Sequence, residues 1–390
     1  MKESNVFYAI LGSCAERRII FMKQIKVALV FGTRPEAIKM CPLILEMQKH
    51  EEIECRVYLT GQHKEMLDQV MDILGIKADK NLSIMSAGQT ISDITVNVLE
   101  KLGQILDEDR PDLLLVHGDT TTSFAAALVG FYRQIPVGHV EAGLRTYNLY
   151  SPYPEEFNRQ AVDVISELYF APTELAKKQL IEEKKKPENI FVTGNTVIDA
   201  LKNTVSDSYQ NENLTWADGS RMILMTCHRR ENIGEPMRRI FRAVKRIVHD
   251  FPDVKIIYPI HKNPKVREIA NEILSGEDRI RMIEPLDVFD FHNFMARSFL
   301  IMTDSGGIQE EAPALGKPVL VLRDTTERPE GVEAGTLKLV GTQEDDVYAE
   351  TKRMLTDENA YQAMCHAVNP YGDGHASERI VEAILSRFCK

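Results

Sequence analysis

Short apolar runs rich in β-branched residues recur along the chain, separated by longer stretches with helical spacing. Ile25–Phe31, Arg56–Thr60, Leu113–His117, Pro136–Val140, Leu168–Ala171 and Ile190–Thr193 read as one set of strands. Met222–Thr226, Val254–Ile260, Ile280–Glu284, Phe299–Thr303, Pro318–Leu322 and Leu337–Val340 read as a second. These runs do not alternate strictly between apolar and polar, which suits strands buried on both faces, and helices between them imply parallel sheets. Two such sets predict an α/β protein with two doubly wound parallel-sheet domains. The polar stretch Asn203–Gly219 divides them, giving domains over residues 22–202 and 203–372. The segment Ser377–Phe388 has helical periodicity, and the turn before it sends residues 373–390 back to the first domain.

In open parallel sheets, ligands bind beyond the carboxyl ends of the strands, and the conspicuous polar residues fall there. The first strand ends in Gly32-Thr33-Arg34-Pro35-Glu36, the third in Gly118-Asp119-Thr120-Thr121-Thr122, and the fourth in Glu141-Ala142-Gly143-Leu144-Arg145. In the second half, strand ends deliver His228-Arg229-Arg230-Glu231, Asp304-Ser305-Gly306-Gly307 and the Arg323–Arg328 loop. Both sets therefore point to one site in a cleft between the domains. Gly32 permits a tight strand exit and Pro35 suits the first helical position, so free N–H groups beside Arg34 and Lys39 are expected to favour an anion. Ser305-Gly306-Gly307 is a second anion candidate, suited to a diphosphate, and Glu311 on the same helix can accept from ribose hydroxyls. The first strand is followed by no GxGxxG, which argues against a nicotinamide dinucleotide.

The acids suggest proton transfer. Asp119 and Glu141 follow buried strands, where an unpaired carboxylate is costly, and Glu155 and Glu156 sit in a Pro-flanked loop. Each also has a structural reading: Asp119 as a helix N-cap over Thr120–Ser123, Glu141 as a buried partner of Arg145, and Glu155 as a solvated loop charge. Carboxylates facing a cationic cleft suit acid/base chemistry on a phosphorylated substrate. His228 is placed to touch phosphate or the reacting sugar, whereas His117 and His139 lie within strands and read as satisfied core residues. No residue pair has metal-ligand spacing, no cofactor is expected, and no nucleophile triad or P-loop is present.

The chain's 390 residues carry a net charge of −11, which argues against nucleic acid or an anionic membrane as partner. Six scattered cysteines read as free thiols in a reducing, cytoplasmic setting. Residues 1–21 precede a natural start at Met22 and are expected to be a disordered extension or a mis-called start. Leu11-Gly12-Ser13-Cys14 superficially resembles a lipoprotein box, but the apolar stretch before it is too short for export.

From Met22 to the C-terminus these motifs closely resemble the bacterial non-hydrolysing UDP-N-acetylglucosamine 2-epimerases. The match is carried by FGTRPEAIK at Phe31–Lys39, HGDTTT at His117–Thr122, GHVEAGLRT at Gly138–Thr146, PEE at Pro154–Glu156, HRRE at His228–Glu231, TDSGGIQEE at Thr303–Glu311 and RDTTERPE at Arg323–Glu330. The resemblance implies a GT-B-type fold of two Rossmann-like domains, usually in a homodimer. It assigns Arg34, Lys39, Ser305, Gly306, Gly307 and Arg328 to the diphosphate, Glu311 to ribose and Phe291 to the neighbourhood of uracil. Asp119, Glu141, Glu155 and His228 form the implied catalytic group.

The implied chemistry is elimination of UDP across C1–C2 and re-addition to a glycal intermediate, with C2 inverted, yielding UDP-N-acetylmannosamine for cell-surface polysaccharide. Which carboxylate takes and which returns the proton stays open. Relatives often bind a second UDP-N-acetylglucosamine as activator, and Gln62, Arg229 and His261 match that subsite. Glu65 and Gly88, however, stand where some relatives carry Gln and Arg, and Leu286 replaces a polar residue that some place near the base. Rival readings are a hydrolysing epimerase, a UDP-sugar glycosyltransferase and an idle UDP-sugar-binding protein.

Overall fold

A computed structural model of the protein describes residues 8–9, 20–21, 24–61, 64–86 and 88–389. The reading of residues 1–21 falls mostly outside the described residues; within it, Tyr8–Ala9 pairs antiparallel with Ile20–Phe21. The chain divides into two compact units, Met1–Ala200 with Gly374–Lys390, and Leu201–Asp373.

In the first unit, β1 (Ile25–Phe31), β2 (Ile53–Leu59), β3 (Lys80–Asn81), β4 (Leu113–His117), β5 (Val137–Val140), β6 (Leu168–Ala171) and β7 (Ile190–Val192) form a sheet. Its order is β3-β2-β1-β4-β5-β6-β7, and every pairing is parallel. Six of these strands match the apolar runs. β3 was not visible in the sequence because its two residues, Lys80 and Asn81, are polar, exposed and at the sheet edge. β2 begins at Ile53, three residues before the apolar run, where Glu54 and Arg56 make a salt bridge with each other.

Burial on both faces explains the missing alternation. Ala28 and Val30 of β1 pack with Leu102, Val116 and Ala126, while the intervening Val27, Leu29 and Phe31 are equally buried. The terminal helix Ala376–Phe388 packs on the helix Arg34–Met47. Asp199 fixes its start, accepting from the N–H groups of Ala376 at 3.1 Å and Ser377 at 2.8 Å, which answers two of the orphan donors of a helix start.

In the second unit, β8 (Arg221–Thr226), β9 (Val254–Pro259), β10 (Ile280–Ile283), β11 (Leu300–Thr303), β12 (Val319–Val321) and β13 (Leu337–Leu339) form a parallel sheet. Its order is β10-β9-β8-β11-β12-β13. In both sheets the chain reverses its direction of growth beside the first strand, so a topological switch point lies between β1 and β4 and between β8 and β11. Such switch points are the usual ligand position in sheets of this kind. The register places the functional loops side by side: His117 is opposite Val140, and Thr226 is opposite Thr303. No helix among the described residues is long and apolar enough to cross a membrane.

Candidate active-site residues

Glu141 follows β5 directly and adopts φ +68°, a left-handed conformation that non-glycine residues seldom take. Its side chain is 11% exposed and forms an ion pair with Lys39. Asn195 donates to the same oxygen, Oε2, at 2.9 Å, and His117 Nε2 lies 3.5 Å from it. Burial pushes this carboxyl's pKa up, but the charges of Lys39 and His117 outweigh it and hold the group well below the usual carboxylate range. Glu141 is therefore an ionised carboxylate, as a base must be. The Arg145 pairing is not formed: Arg145 instead binds Asp163 at 2.7 Å and Glu183 at 2.6 Å.

Lys39 thus sits on a carboxylate, not in an open anion site. The same is true of the helix start ahead of it. Glu36 is 2% exposed, and its Oε2 accepts from the N–H groups of Gly32 at 3.1 Å and Thr33 at 2.8 Å. Thr33 completes a capping box. The N–H groups expected to greet an anion are occupied by the chain's own acid. Only Arg34, half-buried and without an ion-pair partner among the described residues, remains there as an available cation.

Asp119 forms an ion pair with Arg159, and its carbonyl accepts from Asn158 Nδ2 at 2.9 Å. It is not the N-cap of the following helix: Thr120 is, with its hydroxyl accepting from Ser123 N. Glu155 is half-buried and opens the helix Glu155–Ile165, not a loop. Glu156 beside it is fully buried and structural, accepting from the backbone of Thr146 at 3.0 Å and Tyr147 at 2.9 Å.

His139 is a satisfied core residue, with Nδ1 2.6 Å from Asp163 and Nε2 2.8 Å from the Gly118 carbonyl. Asp163 also accepts from Gly143 N and Arg145, so one buried carboxylate ties the Gly118 and Glu141 loops together. His117 departs from expectation: it is 4% exposed, yet its Nε2 has no hydrogen-bond partner among the described residues.

In the second unit, Asp304 organises the switch point. Buried at 0% exposure, it accepts through Oδ2 from the N–H groups of His228 and Arg229, both at 2.8 Å, and from Asn232 Nδ2 at 3.0 Å. His228 is half-buried and stacks on His261 with ring centroids 5.0 Å apart. Burial lowers its pKa, against the pull of Asp304 and with the help of His261 and Arg229, so the ring is neutral at pH 7.

The helix Gly306–Glu311 begins at Ser305, whose side chain makes no capping bond. Unlike the start at Thr33, this one is capped by no carboxylate among the described residues. Glu327 lies alongside, paired with Arg229 at 3.4 Å and Arg323 at 2.6 Å. Arg328 forms an ion pair with Glu310 and donates to the Glu327 carbonyl at 3.1 Å. Phe291 is partly buried against the apolar cluster that includes Ile308.

Two positioning residues were not singled out from the sequence, His292 and Asp304. His292 bonds Glu311 Oε2 through Nε2 at 3.3 Å and Thr204 through Nδ1 at 2.7 Å. Of the residues matched to an activator subsite, Arg229 and His261 flank His228, and Gln62 lies outside the described residues. No cluster of His, Cys, Asp and Glu among the described residues could hold a metal ion.

Comparison with known proteins agrees with this arrangement. Residues 45–385 match a family model described as UDP-N-acetylglucosamine 2-epimerase. The UDP-N-acetylglucosamine 2-epimerase of Bacillus subtilis (strain 168) is 58% identical over 367 residues, covering 94% of this chain and 97% of that protein. A crystal structure of UDP-N-acetylglucosamine 2-epimerase superposes with a TM-score of 0.89 at 56% identity, over 94% of this chain and 97% of that one. The enzyme from Neisseria meningitidis, solved bound to UDP-GlcNAc, gives 0.82 at 48% identity, over 93% and 100%. The two Rossmann-like units are thus those of a GT-B-class fold, and the chain belongs to the UDP-N-acetylglucosamine 2-epimerase family of non-hydrolysing isomerases.

Proposed function

We propose that the protein interconverts UDP-N-acetylglucosamine and UDP-N-acetylmannosamine by eliminating UDP and adding it back to a glycal that is reprotonated on the opposite face of C2. The observation that carries this reading is Glu141: an ionised carboxylate bound at one oxygen by Lys39 and Asn195, with no partner for the other oxygen among the described residues. A group that only held a diphosphate would not be an anion. In the elimination a carboxylate takes the C2 proton, the C1–O bond breaks, and its electron pair leaves on UDP. In the return step another acid delivers a proton to the opposite face of C2 while the diphosphate oxygen attacks C1.

Asp119, Glu141 and Glu155 share these transfers, with neutral His228 as a further proton-transfer or hydrogen-bonding group. Ser305, Gly306 and Gly307 hold the diphosphate at the helix start, aided by Arg34 and Arg328, and stabilise its departure. Glu311 binds ribose and Phe291 lies near uracil. Lys39 acts through Glu141, a role different from the diphosphate contact its motif suggested. The same reading includes a cytoplasmic homodimer, a supply of N-acetylmannosamine units for surface polysaccharide, and activation by a second UDP-N-acetylglucosamine at Arg229 and His261.

Proton NMR of UDP-N-acetylglucosamine incubated with the enzyme in D2O tests it. The expected product is UDP-N-acetylmannosamine deuterated at C2 with little free UDP. Free N-acetylmannosamine with stoichiometric UDP would replace this reading with hydrolysis, and an unchanged substrate would overturn it.

A further inference from the structure

Three groups converge on one oxygen of Glu141, each from a different element. Lys39 comes from the helix Arg34–Met47, Asn195 from the residue before the helix Thr196–Thr204, and His117 from the last position of β4. All three approach Oε2. Oε1 faces Gly118, where even an added Cβ would stand 3.9 Å away. Lys39 and Asn195 already use the two lone pairs of Oε2, and the 3.5 Å to His117 Nε2 exceeds a charge-assisted bond of roughly 2.7–2.9 Å. His117 Nε2 is therefore a buried polar atom without a bond of its own. Such an atom is destabilising in the interior, and a Leu or Phe at the end of β4 would avoid that.

We propose that His117 is a positioning residue for the reaction: it completes, with Lys39 and Asn195, a cationic and polar clamp on Oε2 of Glu141 that reserves Oε1 for the substrate proton. The inference rests on the function proposed above. His117 acts on the carboxylate through the dipole of its ring N–H, 3.5 Å from Oε2, favouring the ionised form, and touches no reacting atom.

The test compares wild type, His117→Phe and His117→Asn by NMR-monitored turnover across pH, with UDP affinity as a check on folding. Activity that needs ionised Glu141 is lost as pH falls through the pKa of that group. Removing a neighbour that favours ionisation raises this pKa, so the acidic limb of kcat moves to higher pH. In His117→Phe we expect kcat to fall about tenfold at neutral pH, the limb to shift upward, and KM and UDP affinity to stay within twofold. His117→Asn, which keeps a donor, should recover most of the rate. If His117→Phe does not bind UDP, His117→Leu carries the same comparison. A His117→Phe or His117→Leu variant with wild-type kcat and an unmoved acidic limb overturns the inference alone. Wild type that exchanges no C2 proton overturns the function and the inference together.

Discussion

His292 is held between Glu311 and Thr204: Nε2 lies 3.3 Å from Glu311 Oε2 and Nδ1 lies 2.7 Å from the Thr204 hydroxyl. Only a donor at Nε2 satisfies a carboxylate, so a neutral ring accepts from Thr204 through Nδ1. The ring is 1% exposed and cannot turn to water. It fixes the rotamer of the acid proposed to bind ribose.

His292→Phe keeps the bulk and removes both bonds. A hydrogen bond to a charged group contributes about 1.5–3 kcal/mol, so UDP should bind at least tenfold more weakly. Turnover at saturation should stay within about twofold, because the leaving group and the acids are untouched. Calorimetry with UDP and steady-state kinetics separate the two. An unchanged UDP affinity would remove Glu311, or its orientation, from nucleotide binding.

Glu36 supplies a second contrast. Its Oε2 takes the backbone donors of Gly32 and Thr33, and its Oε1 takes the hydroxyls of Thr120 at 2.8 Å and Ser123 at 2.9 Å. Glu36→Gln can keep both sets, with its carbonyl toward the N–H groups and its amide toward hydroxyls that rotate to accept. It should lose about 1 kcal/mol of stability. Glu36→Ala leaves buried donors unsatisfied and should lose about 3 kcal/mol. Urea denaturation of the two variants checks the order. Equal losses would mean that the negative charge matters and the bonds do not.

These two residues show what the sequence could and could not disclose. Both sheets were legible because their strands are buried on both faces, leaving unbroken apolar runs; polar Lys80–Asn81 carried no such signal. The loops were legible because strand ends collect polar residues. Pairing was not. Glu141 was weighed against Arg145, four residues away, whereas its partner Lys39 is 102 residues distant in the chain. A helix start preceded by Gly-Thr and opened by Arg-Pro reads as an anion site until one sees that Glu36, at the third position, fills it. His292 lies inside an apolar helix, Val288–Arg297, and nothing in its neighbours marks it as more than core.

Gly306 and Gly307 give the sharpest separation of stability from binding. Neither adopts the left-handed backbone that requires glycine, and neither would bring a Cβ against backbone. A Cβ on Gly306 would come 3.3 Å from Glu327 Oε1, a side-chain end that has to give by a few tenths of an ångström, and one on Gly307 would come 3.5 Å from Glu311 Oε1. By contrast, a Cβ on Gly32 would lie 1.9 Å from Thr60 Oγ1, so that glycine is demanded by packing. The pair at 306–307 is not demanded by the fold, and in a helix Ala is favoured over Gly by about 0.8–1 kcal/mol. Gly306→Ala and Gly307→Ala should therefore melt at or slightly above the wild-type temperature. A methyl group over the first N–H groups should nevertheless hold a diphosphate away, weakening UDP binding at least tenfold. Thermal denaturation and calorimetry on the same samples decide the matter: variants that keep both stability and UDP affinity would place the diphosphate elsewhere, whereas lost stability would make the glycines structural.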